Sequence, residues 1–277
     1  MGFYTPKNNP KDWLIERHRV KIPTLGWVRL KEYGYLPVGA KVVSGTIKQQ
    51  ANRYFVSVLV EEAALSANVS FSCGPGKGVD VGLKDFAIVS NGDVYKNINK
   101  SSAIKHLEKR LKRTQRALSR KYQHRKKVKS ATKRGSNIDK NVLRVQKLQR
   151  RLANVRSDYR ADVVRMLTKT KPAYITIEDL NVQGMMTNRH LSRSIANQGF
   201  YDFMLKLTRA CAKLGIELRQ VSRFYPSSKW CSRCGHKKGK LSLAERIFTC
   251  ESCGWVIDRD LNAAINLEQA KDYIILT

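Results

Sequence analysis

The sequence Cys231-Ser232-Arg233-Cys234, followed by Cys250-Glu251-Ser252-Cys253 and by Asp258-Arg259-Asp260-Leu261-Asn262-Ala263-Ala264-Ile265-Asn266, decides most about the fold. Two Cys-x2-Cys loops separated by about 15 residues have the spacing that lets four thiolates close around one zinc ion. We therefore predict a structural zinc site formed by Cys231, Cys234, Cys250 and Cys253. The site would fix the chain just before a helix that carries Asp260 in its first turn.

Two disulfides are the alternative arrangement of these cysteines, and they require an oxidising compartment. The N-terminus Met-Gly-Phe-Tyr-Thr-Pro-Lys has no apolar segment that could direct export. No run of about 18 apolar residues is present either, so we expect no membrane partner. Cys73 and Cys211 are left over, and we expect both to be small buried apolar side chains.

The composition points to a nucleic-acid partner. The chain has 277 residues, of which 42% are hydrophobic, enough for one core and a small satellite module. A formal charge of +31 and a pI near 10.2 exceed what solubility requires and indicate a polyanionic ligand. An anionic membrane is the second candidate, but one amphipathic helix would serve it, whereas these basic residues are spread along the chain.

Residues 17–66 alternate apolar and polar side chains as β-strands do. The predicted strands are His18–Pro23, Gly26–Leu30, Ala40–Ile47 and Tyr54–Glu61. They indicate a small barrel or sheet with basic outer positions. The first dozen residues, rich in Asn, Pro and Lys, are predicted to be irregular.

A second block of strands opens at Gly78-Val79-Asp80-Val81-Gly82. Val79–Asp80 and Phe86–Ser90 are predicted strands, and a third begins at Asp93–Tyr95 after the hairpin signal Asn91-Gly92. Three antiparallel strands with an aspartate in the first are typical of the start of an RNase H-like sheet.

Residues 101–168 are predicted to form two antiparallel helices joined around Lys126–Gly135. Apolar residues recur at steps of three and four in two stripes: Ile104, Leu107, Leu111, Leu118 and Tyr122, then Ile138, Val142, Val145, Leu148, Leu152, Val155, Tyr159 and Val163. Residues 101–160 contain about 21 Lys and Arg against about 3 acids, a net charge of about +18. A solvated charged face is the alternative, but with so few acids the helices repel each other unless phosphates neutralise them.

The remaining segments alternate strand and helix, which indicates parallel additions to the sheet and an α/β core. They are a strand at Ala173–Asp179, a helix at Gly199–Leu214, a strand at Ile216–Val221 and a final helix at 259–272. The zinc loops at 231–253 interrupt this core.

Asp80, Glu178 and Asp260 stand where a core-building sequence has no use for a charge. Three acids brought together repel one another unless cations are present. Two Mg²⁺ or Mn²⁺ ions about 4 Å apart are the usual solution in nucleases, one activating water and the other stabilising the leaving 3′ oxygen. We therefore predict that these three residues bind catalytic metal.

Each acid also has an ordinary interpretation. Asp80 suits a polar strand end beside Gly82. Glu178 competes with Asp179, but adjacent strand residues face opposite ways, so only one can join the site. Asp258 suits a helix N-cap better than Asp260 does. Asn262 either orients a carboxylate or binds backbone groups.

Four motifs carry a family resemblance: Gly78–Lys84, Ile177–Val182, Arg223–Lys229 leading into the first cysteine pair, and the second cysteine pair leading into Asp258–Ala264. In this order they resemble the TnpB (OrfB) proteins of insertion sequences, which are relatives of the miniature type V CRISPR effectors. The resemblance covers about residue 18 to the end.

The resemblance implies an α/β protein with a RuvC/RNase H-like nuclease core, an inserted basic helical hairpin and an inserted zinc ribbon, preceded by a partial β-barrel. The implied segments are a wedge-like β domain at 1–66, core parts at 67–100, 169–226 and 257–277, the basic insertion at 101–168 and the target-binding ribbon at 227–256. It places Asp80, Glu178 and Asp260 in the catalytic positions and the four cysteines in the zinc positions.

The implied activity is Mg²⁺-dependent, RNA-guided cleavage of DNA, with guide RNA and target DNA as partners, in the cytoplasm of a prokaryotic host. Family members carry a longer N-terminal region, so we expect a truncated or compact variant in which target-motif recognition and guided unwinding are impaired. A non-cleaving RNA- or DNA-binding regulator is the second hypothesis and a strand-joining transposase the third. The intact acids favour the nuclease, and a ribbon before the last carboxylate disfavours strand joining.

Overall fold

A computed structural model describes residues 2–4, 13–61, 74–127, 136–242 and 245–276. The chain divides into two compact units: an N-terminal unit, Met1–Asn68 with Arg110–Arg150, and a core unit, Val69–Lys109 with Arg151–Thr277. Three predictions concern residues outside the described ranges: the burial of Cys73, the conformation of residues 5–12 and the helix connection at 128–135.

The N-terminal unit contains two three-stranded antiparallel sheets. One has the order β1-β5-β6 and the other the order β2-β3-β4. The strands are β1 Gly2–Tyr4, β2 Leu14–Ile15, β3 Arg19–Ile22, β4 Gly26–Arg29, β5 Val42–Gln50 and β6 Arg53–Val60. The four predicted strands are confirmed. The first residues are not irregular throughout, because Gly2–Tyr4 pairs antiparallel with β5.

A small apolar core fills the N-terminal unit. Its buried members are Trp13, Ile15, Val20, Ile22 and Val42. Trp13 packs directly over Gly45, where even a Cβ would stand 2.3 Å from the indole ring. Among the described residues no ladder joins the two sheets, so closure into a barrel remains a prediction.

Two long helices form, as the periodicity of the sequence predicts: α1 Ser102–Lys127 and α2 Ser136–Lys169. Their apolar stripes are buried at Ile104, Leu107, Ile138, Val145, Leu148, Leu152 and Val163. Within the core unit, Glu108 near the start of α1 accepts a hydrogen bond from Arg156 of α2, with Oε1 2.8 Å from Nη2. This contact fits the predicted antiparallel pair.

A six-stranded mixed sheet forms the centre of the core unit, in the order β14-β11-β10-β7-β8-β9. Its strands are β7 Lys77–Val81, β8 Asp85–Val89, β9 Val94–Lys96, β10 Tyr174–Glu178, β11 Glu217–Val221 and β14 Ile274–Ile275. β7, β8 and β9 form the predicted antiparallel meander, and β10 and β11 add parallel to it. The mixed α/β core is therefore confirmed.

Helices cover both faces of this sheet. On one face the end of α2 and helix α5, Phe200–Leu214, bury an apolar cluster that includes Val79, Ile177 and Cys211. The burial predicted for Cys211 is confirmed. On the other face lies helix α6, Arg259–Glu268, which covers Gly78. Successive strand residues point to opposite faces, which is why Gly78 and Val79 meet different helices.

Several elements differ from the sequence-based expectation. The last helix ends at Glu268 rather than at residue 272, and the chain returns as β14 against β11. A 3-10 turn at Ile98–Lys100 and the short helices α3 Val182–Met186 and α4 Ser192–Gln198 have too few turns for a periodic signal. Among the described helices, none has the length and apolarity that crossing a bilayer requires.

Candidate functional site

Asp80 and Glu178 lie side by side near the carboxyl ends of two neighbouring central strands, β7 and β10. β7 and β10 run parallel, and Val79 stands opposite Ile177 in their register. The next residues of the two strands are Asp80 and Glu178. They are therefore neighbours and point to the same face of the sheet, the one opposite to the apolar cluster.

Helix α6 packs on that same face, directly over Gly78. A Cβ at Gly78 would stand 1.9 Å from the carbonyl oxygen of Ala264, so only glycine permits this approach. Gly78 precedes Asp80 by two residues, and Ala264 follows Asp260 by about one helical turn. The contact therefore directs the first turn of α6, with Asp260, towards Asp80.

Burial and neighbouring negative charges raise the pKa values of two of the three acids. Burial, followed by the negative charges of Asp260 and Glu178, raises the pKa of Asp80 to about 8. Burial and the charge of Asp179 raise the pKa of Glu178 to about 7. Both carboxyl groups therefore retain protons near neutral pH unless a cation compensates their charge.

Arg259 holds the carboxylate of Asp260. Its Nε and Nη2 both lie 3.1 Å from Asp260 Oδ1, and Nη1 of Arg246 lies 3.9 Å from Oδ2. The positive charge of Arg259 also lowers the pKa of Asp80, against the larger raising effects. Arg259 thus orients one acid and offsets part of the negative charge at the site.

The competing acids have other partners. Asp179 faces Arg223, whose Nε lies 2.9 Å from Oδ2, so only Glu178 of the adjacent pair turns towards Asp80. Asp258 is the N-cap of α6: its Oδ1 accepts hydrogen bonds from the backbone N–H groups of Asp260 and Leu261 at 2.9 and 3.1 Å. Asp179 thus points away from Asp80, as strand alternation predicted, and Asp258 caps the helix, as the capping preference predicted.

The four cysteines form a tight cluster of free thiols. Their Sγ atoms all lie within 4.8 Å of one another, with Cys231 to Cys253 at 3.7 Å and Cys234 to Cys250 at 3.6 Å. Tetrahedral zinc with bonds of about 2.3 Å would separate its sulfurs by about 3.8 Å, so the cluster fits zinc. Within the described ranges no other group of three or more metal-ligating side chains is as tight, so the carboxylates are spread more widely.

Each cysteine pair sits in a turn of the same kind. Gly235 and Gly254 follow the second cysteine of each pair at φ of +74° and +69°, and each donates its N–H to the carbonyl of the first cysteine. The hairpin β12 Ile247–Thr249 and β13 Val256–Asp258 completes the ribbon. Backbone N–H groups of Cys253 and Ser252 lower the pKa of Cys250 to about 6, which favours the thiolate that metal requires.

Two buried asparagines tie the ribbon to α6. Asn262 donates to the carbonyl of Trp230 at 2.6 Å and accepts from the N–H of Ser232 at 3.0 Å. Asn266 Nδ2 lies 2.7 Å from the carbonyl oxygens of both Ser227 and Trp230. Of the two interpretations of Asn262, the structure supports the binding of backbone groups.

Known proteins resemble this chain over most of its length. A protein of Streptomyces pristinaespiralis named "Putative RNA-guided DNA endonuclease" is 32% identical over 236 residues, which are 84% of this chain and 54% of the relative. The protein named "Putative RNA-guided DNA endonuclease InsQ" of Escherichia coli K12 is 29% identical over 268 residues, 91% of this chain and 62% of the relative.

Two family models match consecutive parts of the chain. The OrfB_IS605 model, described as "Probable transposase", matches residues 77–189, and the Cas12f1-like TNB domain matches residues 200–267. These ranges contain all three acids and all four cysteines. The chain is therefore similar to the TnpB (OrfB) proteins over these two ranges. The family resemblance of the four sequence motifs is thus confirmed.

The chain spans about half to three fifths of the length of these two relatives. Its fold is similar to that of a protein whose solved structure is named "Cryo-EM structure of the Cas12f1-sgRNA-target DNA complex". That similarity has a TM-score of 0.52 at 19% identity and covers 83% of this chain and 46% of the other. At this identity the likeness concerns the fold alone.

Three residues at the candidate site were not predicted from the sequence. Arg259 stands between Asp258 and Asp260 in the sequence, and a cationic residue between two acids could have indicated its role beside Asp260. Asn266 lies four residues after Asn262, so both occupy one face of α6, and that spacing could have been noticed. Arg223 pairs with Asp179 across neighbouring strand ends, and no local pattern predicts such a contact.

The acidic site has the donor chemistry of a magnesium or manganese site. Carboxylate oxygens are hard ligands, which these ions prefer. Asp80 and Glu178 have raised pKa values because both are buried and because neighbouring carboxylates add to the negative charge. A divalent cation would supply the missing charge, so the residues present fit the metal that TnpB-type nuclease chemistry implies.

Proposed function

We propose that the protein is an RNA-guided DNA endonuclease that hydrolyses phosphodiester bonds at the site of Asp80, Glu178 and Asp260. The observation that carries the proposal is the placement of acids from distant segments around Asp80, whose pKa is raised first by burial and then by the charges of Asp260 and Glu178. A cluster of acids does not stabilise an apolar core, whereas it can bind divalent ions that in turn bind a phosphate.

The names of the relatives support the same activity. Two proteins that match most of this chain are named RNA-guided DNA endonucleases, and a third, from Sulfoacidibacillus thermotolerans, is named CRISPR-associated endodeoxyribonuclease Cas12f1. The similar solved complex contains a single guide RNA and a target DNA, and we extend these two kinds of partner to this chain.

Within the site we assign each acid the role of a metal ligand. When bound, divalent ions would activate water and stabilise the leaving oxygen. Asp80 and Glu178 give up their protons to become ligands, since the pKa of each lies near or above neutrality in the metal-free protein. Arg259 fixes the orientation of Asp260.

The ribbon, in this proposal, holds zinc at the four cysteines and serves as a positioning element. Zinc keeps the first cysteine turn folded, and that turn is bound to α6 through Asn262 and Asn266. Because α6 carries Asp260 in its first turn, the ribbon maintains the placement of a catalytic acid. Contact with target DNA is its second role, as the resemblance to the TNB domain suggests.

The basic helices, in this proposal, contact nucleic-acid backbones. Arg113, Arg116 and Arg120 line a cavity of about 490 Å³ on α1, together with Ser119 and Gln123. Positions three and four residues apart on a helix are about 5–6 Å apart, close to the spacing of successive phosphates. Such contacts give affinity without reading sequence.

The test is guided cleavage by the protein purified with its co-purifying RNA. That RNA is sequenced, and the complex is incubated with matched and unmatched DNA in Mg²⁺. We expect cutting of matched DNA only, and an Asp80→Asn variant should lower the rate by about 10²- to 10³-fold or more while DNA and RNA affinity change little. Asp179→Asn, which alters a neighbouring acid bound to Arg223, is the matched control and should retain cutting.

Tight RNA binding with no cutting under any divalent ion would reject the endonuclease and identify a non-cleaving regulator. If Asp80→Asn lost binding and cutting equally, the role assigned to Asp80 would be wrong.

A further inference from the structure

A basic and aromatic cavity lies on the outer face of the N-terminal unit, in a part of the chain that the nuclease chemistry does not use. It measures about 580 Å³ and is lined by His18, Arg19, Trp27, Arg29 and Tyr33. All five side chains are exposed. The volume falls within the range of about 300–1,000 Å³ that is typical of small-ligand sites.

Strand alternation produces this face. Val20 and Ile22 of β3 point into the core, so Arg19 and Lys21 point outward. In the antiparallel register Arg19 stands opposite Arg29, and Lys21 stands opposite Trp27. Like charges directly opposite each other destabilise a strand pair, so an anion bound between them would stabilise this one.

The two arginines differ in how far the protein already neutralises them. Arg19 forms a bidentate pair with Glu16, with Nε to Oε2 at 2.6 Å and Nη2 to Oε1 at 3.0 Å. Arg29 contacts the neutral hydroxyl of Tyr33 at 3.5 Å. The positive charge of Arg29 therefore remains available to an anionic ligand.

Flat aromatic surfaces stand beside these cations. The guanidinium of Arg19 lies 4.5 Å from the centre of the Trp27 ring, and the rings of His18 and Tyr33 stack at 6.3 Å. Trp27 is 42% and Tyr33 62% exposed, so large ring surfaces face solvent. Exposed aromatic rings among arginines form the typical platform for nucleobases in single-stranded nucleic-acid sites.

We propose that this cavity binds one unpaired nucleotide of a single strand, with its base stacked on Trp27 or Tyr33 and its phosphate bound by Arg29. The inference rests on the proposed function only in expecting a nucleic-acid partner. Among the described residues that line the cavity there is no Asn, Gln, Asp or Glu, the side chains that read adenine and cytosine edges, so the site should not select for these two bases.

The experiment uses full-length protein carrying Asp80→Asn, so that bound strands remain intact. Fluorescently labelled hexamers of single-stranded RNA, single-stranded DNA and blunt duplex are titrated in polarisation assays at a salt concentration that suppresses phosphate-only contacts. Trp27→Ala should weaken single-strand binding by about 5- to 100-fold, the range for losing one base stack, whereas Trp27→Phe should stay within about threefold.

Tyr54→Ala is the matched control, because Tyr54 is 71% exposed in the same unit but does not line the cavity. It should leave affinity unchanged. Arg29→Ala should weaken binding more than Arg29→Lys, which keeps the charge. A photoreactive base in the hexamer should crosslink to the peptide containing Trp27. Tighter RNA than DNA binding identifies the guide as the occupant, and the reverse identifies the DNA strand.

Equal binding by the Trp27→Ala and Tyr54→Ala variants, or crosslinks confined to other peptides, would overturn the nucleotide site. Equal affinity for duplex and single strand would do the same. Guided cutting by the wild-type protein distinguishes the two proposals: cutting without a Trp27 effect rejects only this site, and a Trp27 effect without cutting rejects only the endonuclease.

Discussion

The acidic site and the nucleotide cavity are built in opposite ways. The acids at residues 80, 178 and 260 come from two strands and a helix, whereas the cavity uses residues 18 to 33 of one short antiparallel pair and the turn that follows it. The acidic site therefore depends on most of the core unit being folded. The nucleotide cavity depends only on local strand alternation. Damage at a distance should therefore affect the acids and spare the cavity.

The two sites also differ in how they tolerate like charges. Burial, and after it the charges of neighbouring carboxylates, raises the pKa values of Asp80 and Glu178. Arg19 and Arg29 face each other in solvent, where water and salt screen their repulsion. Near neutral pH a bound cation would therefore favour the ionised state of the acidic site, while in our proposal an anion would stabilise the cavity.

The strongest way to separate the sites is to remove one zinc ligand. Cys231→Ser should abolish stoichiometric zinc, because structural zinc in small modules contributes about 10–16 kcal/mol of binding free energy. The ribbon should unfold, α6 should lose its anchors at Asn262 and Asn266, and guided cutting should fall at least about a hundredfold. Hexamer binding at the cavity should not change. Metal analysis, cutting rates and polarisation provide the three measurements.

Cys211→Ala serves as the control, since Cys211 is buried in the core away from the cysteine cluster. It should keep one zinc per chain. Wild-type protein purified without zinc would refute the metal site, and loss of hexamer binding in Cys231→Ser would break the contrast between distributed and local sites.

A smaller effect should follow from cutting the link between ribbon and helix. Asn262→Ala removes a fully buried side chain, which leaves the backbone N–H of Ser232 without its partner and the carbonyl of Trp230 with Asn266 as its remaining side-chain donor. Such orphaned groups cost about 1–3 kcal/mol, which urea unfolding would measure. Zinc should be retained and cutting reduced. A variant with unchanged stability and normal cutting would show that the link is not needed.

The local features of the sequence were predictable, and their assembly was partly so. The meander at 77–96 and the helix at 200–214 follow from short-range patterns of alternation, glycine turns and helical period. The cysteine spacing likewise limits four side chains to one small volume. These features depend on neighbours in the chain, which the sequence displays directly.

The parts that failed depend on tertiary pairing. β1 is a strand because β5 offers it a free edge, and α6 stops at Glu268 because the following residues return to pair with β11. Nothing within Gly2–Tyr4 or Ile274–Ile275 announces such partners. The acids were predicted as a group because charges at strand ends are costly, but their bonds to Arg259 and the exclusion of Asp179 by Arg223 required the fold.

The acidic site should make the Tm of the protein depend on pH, with a change of a few degrees. An acid whose pKa is raised on folding binds more protons in the folded state, so stability is lost as pH rises from its ordinary pKa to the raised one. For Asp80 that window runs from about 4 to about 8. In EDTA, Tm should fall across this range, and Mg²⁺ should raise Tm more at pH 8 than at pH 5.

Asp80→Asn should flatten both the decline and the Mg²⁺ effect. Asp162→Asn, which removes an exposed acid paired with Arg165, should alter neither. Each kcal/mol corresponds to about 2–4 °C for a chain of this size, so differential scanning fluorimetry can resolve the effect. An equal Mg²⁺ shift in Asp80→Asn and wild type would place the cation elsewhere.

The smallest expected effect concerns the salt dependence of nucleic-acid binding by the basic face of α1, where we expect contacts to phosphate rather than to metal or base. Arg116 lines a cavity with Arg113 and Arg120, and the described residues that line it include no aromatic ring. Arg116→Gln should therefore reduce the slope of log affinity against log salt by about 0.7–0.9, the value for one phosphate contact, and weaken RNA of any sequence equally. Gln115→Ala, at the adjacent exposed position, should leave the slope unchanged. Because Trp27→Ala removes stacking rather than charge, it should weaken binding without changing the slope, and identical slopes for Arg116→Gln and wild type would contradict the phosphate contact.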